Sequence, residues 1–322
     1  MSVTGMSNSV EVRTALKQGI HLLREAHVPA DTLAAELLLL HVTGRDRTWL
    51  YAHPEEPLDA SITEKYFALI GRRAAGEPTQ HLTGHQEFWG LDFEVTPDVL
   101  IPRPETEHLL EVALDRLAVR ELRAGRQPKL AGDNLSLIDI GTGSGCIAIA
   151  LAKELPAAQT YAADISPAAL AVAKRNAARL GFSNRITFLE SNLFEAFSSS
   201  SQQPALSGSE GSPVTNHQSP QFDLVISNPP YISRREAHTI PVEVRAHEPE
   251  AALYGGEEGY ELYGLLISEA ARHLKPGGLL VLELGHDSLA AVRPLFDTSG
   301  WANILVTNDL AGIPRVLSAE RT

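Results

Sequence analysis

Leu135-Ser136-Leu137-Ile138-Asp139-Ile140-Gly141-Thr142-Gly143-Ser144-Gly145-Cys146 is an apolar run ending in an acid, then three glycines at alternate positions, then the start of a helix-forming stretch. An apolar run of this length reads as a buried strand, and residues 146–153 read as the helix that follows it. Downstream the same alternation continues. Strand patterns at 160–164, 186–190, 222–227 and 279–283 are interleaved with helical patterns at 167–180 and 262–274. Buried strands alternating with helices predict a mostly parallel sheet covered on both faces, a doubly wound, Rossmann-like α/β domain. The sequence contains no internal repeat.

The glycine turn then says what kind of ligand to expect. Glycines permit positive φ and let a ligand approach the backbone closely, at the carboxyl edge of the sheet. A dinucleotide fingerprint places its third glycine three residues after the second, whereas Gly141, Gly143 and Gly145 alternate and follow Asp139. This spacing is the pattern of S-adenosylmethionine enzymes. Asp164 closes the next strand, where a carboxylate can accept both hydroxyls of a ribose, and Ser166 is placed to cap the following helix.

The strand at 222–227 delivers Asn228-Pro229-Pro230-Tyr231 to the same edge. Neither proline has an amide hydrogen, so the turn presents oxygens rather than N–H groups. The side-chain oxygen of Asn228 and the carbonyl of Pro229 can each accept one hydrogen of an incoming planar NH2 group, with Pro230 stiffening the turn and Tyr231 covering the flat face. Such a nitrogen is a weak nucleophile because its lone pair is delocalised. Holding both N–H bonds aims that lone pair and raises its electron density. Asn228, Pro229 and Tyr231 are therefore the expected catalytic residues, for methyl transfer to an amide-like nitrogen.

Upstream, residues 10–75 show apolar positions three and four apart and predict several short helices, with Asp31 as an N-cap, Gly44 as a terminator and a helix at 62–73. Residues 1–82 are expected to be a helical substrate-recognition domain. Alternating aromatic and polar residues at 87–95, around Gly90, predict a hairpin within a linker spanning 83–98. The catalytic domain is then 99–322, opening with a helix at 106–117 whose apolar face is Leu109, Leu110, Ala113 and Leu117. Residues 198–221, rich in Ser, Gln, Pro and Gly, predict a disordered surface insertion.

Composition bounds the function. The 322 residues are 43% hydrophobic and 21% charged, enough for a sizeable core, and no apolar stretch reaches membrane-span length. The first residues, MSVTGMSNSVEV, lack the order of a signal peptide, so a cytoplasmic location is expected. The single cysteine, Cys146, excludes an internal disulfide framework, and the histidines show no metal-ligand spacing. A net charge of -13 argues against long-track nucleic-acid binding.

Phe88-Trp89-Gly90, then Leu100-Ile101-Pro102-Arg103-Pro104-Glu105-Thr106-Glu107, then the glycine turn and Asn228-Pro229-Pro230-Tyr231, in that order behind a helical front module, resemble the glutamine methyltransferases of peptide chain release factors, the HemK or PrmC family. The resemblance covers nearly the whole chain. It implies S-adenosyl-L-methionine as cofactor, with Asp139, Gly141, Thr142, Gly143, Ser144, Gly145, Asp164 and Asn228 around it and Asn192 and Leu193 near its adenine. It implies that Asn228 to Tyr231 receive the glutamine of a release factor's Gly-Gly-Gln loop, with Phe88, Arg103 and Glu105 shaping the substrate entrance. For Arg103 and Glu105 the competing reading is a salt-bridged loop. Two sister activities use the same tetrapeptide: methylation of adenine N6 in DNA or RNA, and of a glutamine in a ribosomal protein. A non-catalytic cofactor-binding partner is the reading from outside enzymes.

Overall fold

A computed structural model describes residues 9–123, 135–197, 220–297 and 300–322. Most of the insertion expected at 198–221 lies outside the described residues. The chain forms two compact units: residues up to His85 together with Pro241–His247, and Gln86–Ile240 together with Glu248–Thr322.

The first unit contains β1 (Val10–Glu11), α1 (Val12–Glu25), α2 (Asp31–Thr43), α3 (Arg47–Ala52), β2 (Pro57–Leu58), α4 (Ala60–Ala74) and α5 (Thr79–Thr83). Leu23, Leu38, Leu39, Tyr66 and Ile70 fill its core. Gly19 sits in the middle of α1 because a Cβ there would lie 2.1 Å from the Tyr66 hydroxyl oxygen. Its helix-propensity cost of about 1 kcal/mol is accepted for that close approach. Gly44 ends α2 at φ 63°, as read from the sequence. Asp31 does not cap α2. Ala30 holds the cap position at φ 53°, and the Asp31 carboxylate instead accepts Arg24 Nε at 2.8 Å. Buried Arg73 donates to Glu243 at 2.6 Å, inside the returning segment Pro241–His247 that sequence periodicity does not assign to this unit.

The second unit begins at Gln86, one residue into the hairpin of β3 (His85–Phe88) and β4 (Leu91–Glu94), where Trp89 and Gly90 both have positive φ, as a two-residue hairpin turn requires. Next come α6 (Pro104–Arg123), β5 (Ser136–Ile140), α7 (Cys146–Glu154), β6 (Gln159–Asp164), α8 (Pro167–Leu180), β7 (Ile186–Glu190), β8 (Phe222–Ser227) and β9 (Ile232–Ser233). After α9 (Val242–His247), which belongs to the first unit, the chain continues through α10 (Glu250–Leu253), β10 (Tyr254–Gly256), α11 (Glu261–His273), β11 (Leu274–Glu283), α12 (Leu289–Val292), β12 (Trp301–Asn308) and β13 (Pro314–Arg321).

Among the described residues, seven strands form one sheet in the order β12-β13-β11-β8-β5-β6-β7. The pairs from β11 to β7 are parallel, and β13 joins β11 and β12 antiparallel. This is the doubly wound, Rossmann-like sheet expected from the alternation, extended by a terminal hairpin that the sequence reading missed. From β5 the chain winds outward through β6 to β7 and then returns to β8 on the other side of β5. The carboxyl ends of β5 and β8 therefore flank a topological switch point, where open α/β sheets bind ligands. At the opposite end of β8, the Asp223 carboxylate ties Arg120 and Lys275, each at 2.6 Å, and the Ser136 amide at 2.9 Å. Among the described residues, no helix is long and apolar enough to cross a membrane.

Candidate active site

At the exit of β5 the three glycines all have positive φ: 76° at Gly141, 54° at Gly143 and 83° at Gly145. An added Cβ at Gly141 or Gly143 would meet no atom within 4 Å, so these two face open space and glycine is required there by φ. Asp164 reaches across from β6. Its Oδ2 accepts the Gly143 amide hydrogen at 2.8 Å and its Oδ1 accepts that of Ser166 at 2.9 Å. Burial pushes this carboxyl above its ordinary value, against those backbone hydrogen bonds. Ser166 accepts from the Ala169 amide at 3.2 Å and caps α8, as its place in the sequence suggested.

Asp139 supports the turn from behind. It is 0% exposed, and its Oδ2 accepts the Thr142 hydroxyl at 2.6 Å and the Ala148 amide at 3.2 Å. Burial pushes its carboxyl up to about 7.

A cleft of about 480 Å³ opens over this edge. Gly141, Gly143, Asp164, Asn192 and Leu193 line it on the β5–β7 side, and Asn228, Pro229 and Pro230 on the β8 side. Asp139, Thr142, Ser144 and Gly145, expected beside the ligand, are not among the lining residues, and the first three are buried beneath the turn. Thr142 and Ser144 lie between the glycines and face inward, Asp139 is buried within β5, and Gly145 is crowded from behind, where a Cβ would lie 3.1 Å from Ala173. Apolar walls come from Val99, Ile165, Leu262 and Leu266. Ile165 is 60% exposed despite its apolar side chain, a feature the sequence reading passed over.

The Asn228 amide is oriented by what lies behind it. Its Nδ2 donates to Thr106 Oγ1 at 3.0 Å, and the Thr106 hydroxyl donates to Glu283 Oε2 at 2.8 Å. Its Oδ1 is thereby left for other donors. Gly255 lets this turn be approached closely, because a Cβ there would lie 2.4 Å from the Pro230 carbonyl oxygen. Tyr231, expected to cover a planar group in the cleft, does not line it. Its ring packs with the β8–β11 core and against Gly285, where a Cβ would come within 2.8 Å of the ring. Burial, and next the negative charge of Glu283, push its phenol above the ordinary value.

Three further expected residues stand outside the cleft. Phe88, expected to touch the substrate, is 1% exposed and packs edge to face on Phe93 in the core. Its aromatic neighbours in the sequence belong to a hairpin that is itself packed into that core. Arg103 is ion-paired with the buried carboxylate of Glu248, which also accepts the Ile101 amide at 3.1 Å, so the salt-bridged loop is the arrangement present. Glu105 is exposed in the first turn of α6. Sequence reasoning also missed Thr106, Glu283 and Gly255. For Glu283 a signal existed: like Asp139 and Asp164, it is an acid at the carboxyl end of a buried strand.

Comparison with known proteins adds sequence relationships to this geometry. Residues 14–84 match the PrmC N-terminal domain family, and residues 131–297 match a methyltransferase domain family. The chain is similar to the release factor glutamine methyltransferase of Koribacter versatilis, 40% identical over 310 residues that cover 96% of this chain and 98% of that protein. It is 41% identical over 294 residues to the release factor glutamine methyltransferase of Burkholderia pseudomallei, covering 89% and 91%. Among solved structures, a methyltransferase from Pyrococcus furiosus is similar with a TM-score of 0.44 at 20% identity, covering 72% of this chain and 89% of that one.

Proposed function

Because this chain belongs to the release factor glutamine methyltransferases, we propose that Asn228 and Pro229 hold the side-chain amide of the glutamine in a release factor's Gly-Gly-Gln loop while its nitrogen is methylated. The enzyme is an S-adenosylmethionine-dependent protein-(glutamine-N5) methyltransferase. It works on its protein substrate in the cytoplasm, with the helical front domain, residues 1–82, recognising the release factor.

The cleft suits the cofactor by the chemistry of its donors and acceptors. Asp164 already accepts one backbone amide on each oxygen, and each oxygen keeps a lone pair for a ribose hydroxyl. Ile165 and Leu193 offer apolar surface to an adenine ring, with Asn192 beside them for its polar edge. The glycine faces at 141 and 143 leave room for the methionine portion. When bound, S-adenosyl-L-methionine supplies an electrophilic methyl group on a sulfonium.

The residues of this chain supply geometry and charge. Asn228 Oδ1 and the Pro229 carbonyl each accept one N–H of the glutamine amide, which fixes the plane of the NH2 group and directs its lone pair along one line. As the nitrogen takes the methyl group and the sulfur–methyl bond breaks, positive charge grows on that nitrogen, and the two oxygens stabilise it before the nitrogen gives up one proton to water. No strong base sits in the tetrapeptide, and none is needed, because the cationic amide product is itself a strong acid.

The single observation behind this reading is that Asn228 Nδ2 donates to Thr106, which fixes the amide so that its Oδ1 is the acceptor offered to the substrate. Replacing Asn228 with alanine is expected to lower transfer to a purified release factor by roughly a hundred- to a thousandfold, as loss of one pre-set hydrogen-bond partner does elsewhere. Cofactor affinity measured by calorimetry should stay within a few fold. Methylation by the variant at the wild-type rate would overturn the assignment.

A further inference from the structure

Behind the cleft, Asn228, Thr106 and Glu283 form a continuous hydrogen-bonded row whose two inner members are 3% and 1% exposed. We propose that Glu283, acting through Thr106, is a positioning residue that decides which edge of the Asn228 amide faces the acceptor nitrogen. The inference rests on the reading of Asn228 given above and names what enforces it.

An ionised carboxylate can only accept, and a hydroxyl has a single hydrogen. With Glu283 ionised, the Thr106 hydrogen is committed to Oε2, so toward Asn228 the Thr106 oxygen can only accept. The Asn228 NH2 must then face Thr106 and its oxygen must face the cleft. A proton on Glu283 permits the reverse. Glu283 then donates to Thr106, Thr106 donates to Asn228 Oδ1, and the flipped amide presents its NH2 to a substrate NH2, where donor meets donor.

The surroundings of Glu283 fit a group held near the balance of these two states. Burial pushes its carboxyl up to about 7, opposed by the hydrogen bond from Thr106 and the charge of Arg315, reinforced by the charge of Glu105, and opposed again by hydrogen bonding from the Tyr231 phenol. From α11, the Tyr263 hydroxyl donates at 2.7 Å to the backbone carbonyl of Glu283 rather than to its carboxylate. Arg315 is itself anchored to the Leu284 carbonyl at 3.2 Å and to Asp309 at 3.3 Å. Glu283 thus reaches the Asn228–Tyr231 tetrapeptide through Thr106, at its Asn228 end. A glutamine in its place would present both a donor and an acceptor and would lose the one-way constraint.

The test uses full-length enzyme, saturating S-adenosyl-L-methionine and a purified release factor, with kcat and KM measured from pH 6 to 9 for Thr106→Val, Thr106→Ser, Glu283→Gln and Asn228→Ala. Wild-type kcat should fall with decreasing pH below about 7 while KM holds. Thr106→Val keeps the shape of the side chain but not its hydroxyl, and should lower kcat about tenfold or more with KM and cofactor affinity little changed. Thr106→Ser should restore kcat to within about threefold and keep the acid limb. Glu283→Gln should lower kcat and remove the acid limb. Wild-type kcat in Thr106→Val, failure of serine to rescue, or an unchanged acid limb in Glu283→Gln would each overturn the positioning role while an inactive Asn228→Ala left the acceptor assignment standing. A fully active Asn228→Ala would sink both. If Glu283→Gln does not fold, the valine and serine pair still decides the matter.

Discussion

Asp164 Oδ2 accepts the Gly143 amide hydrogen at 2.8 Å, so the acid that closes β6 also fixes the middle glycine of the turn after β5. One side chain therefore shapes the turn and offers its remaining lone pairs to the cleft. Asp164→Ala should weaken cofactor binding by roughly ten- to a hundredfold, the worth of about 1.5–3 kcal/mol for a hydrogen bond to a charged group. Isothermal titration with S-adenosyl-L-methionine measures it. At saturating cofactor kcat should change far less than the dissociation constant, and equal losses in both would assign Asp164 to the transfer step instead.

Asp139 gives a prediction about stability rather than binding. Its folded-state value of about 7 lies above the ordinary carboxyl value of an unfolded chain, so the folded protein holds that proton more tightly than the unfolded chain does. The resulting contribution to stability is fully present below the unfolded value and is lost as pH rises through the folded one. Asp139→Asn has no such proton to lose. Relative to wild type it should gain stability between pH 5 and 8, by an amount on the order of a few kcal/mol. Urea unfolding at both pH values checks this; a difference between the two proteins that is independent of pH would refute the buried-acid reading.

Gly285 controls the space behind the acceptor turn. A methyl group there would come within 2.8 Å of the Tyr231 ring, which is held against the core on its other side. Gly285→Ala should displace Tyr231 at a cost of about 1–3 kcal/mol, typical of overpacking. Lower kcat with unchanged cofactor affinity is the expected result. A variant with wild-type kcat and wild-type melting temperature would show that the ring position does not matter.

Phe88 separates core from contact. Its burial against Phe93 predicts that Phe88→Ala loses about 3–5 kcal/mol of stability. Where the variant is still folded, its KM for the release factor should be that of wild type. A raised KM with intact stability would restore Phe88 to the substrate surface.

Much of this was legible in the sequence because it depends on local rules. The alternating glycines dictate a positive-φ turn, and the switch from strand to helix periodicity at Gly145 places that turn at the sheet edge. Asp164, Ser166 and Asn228 follow from their positions at the ends of buried strands. Other features depend on contacts between residues far apart in the chain, which periodicity does not encode. Thr106 meets Asn228 across 122 residues and Glu283 across 177. Phe88 and Tyr231 look like ligand-facing aromatics in sequence, yet packing buries Phe88 in the core and lays the half-buried Tyr231 ring against it. The β12–β13 hairpin was missed for a different reason: β12 is an edge strand with exposed Leu305 and Val306, so its alternation of buried and exposed residues is weak.

The methyl group goes to the nitrogen of a protein glutamine. The most direct measurement is mass spectrometry of a purified release factor, with total RNA and DNA analysed in parallel, after incubation with the enzyme and methyl-labelled S-adenosyl-L-methionine. A single added methyl on the glutamine of the Gly-Gly-Gln loop, and none in nucleic acid, is the predicted result; label found only on adenine in RNA or DNA would contradict it.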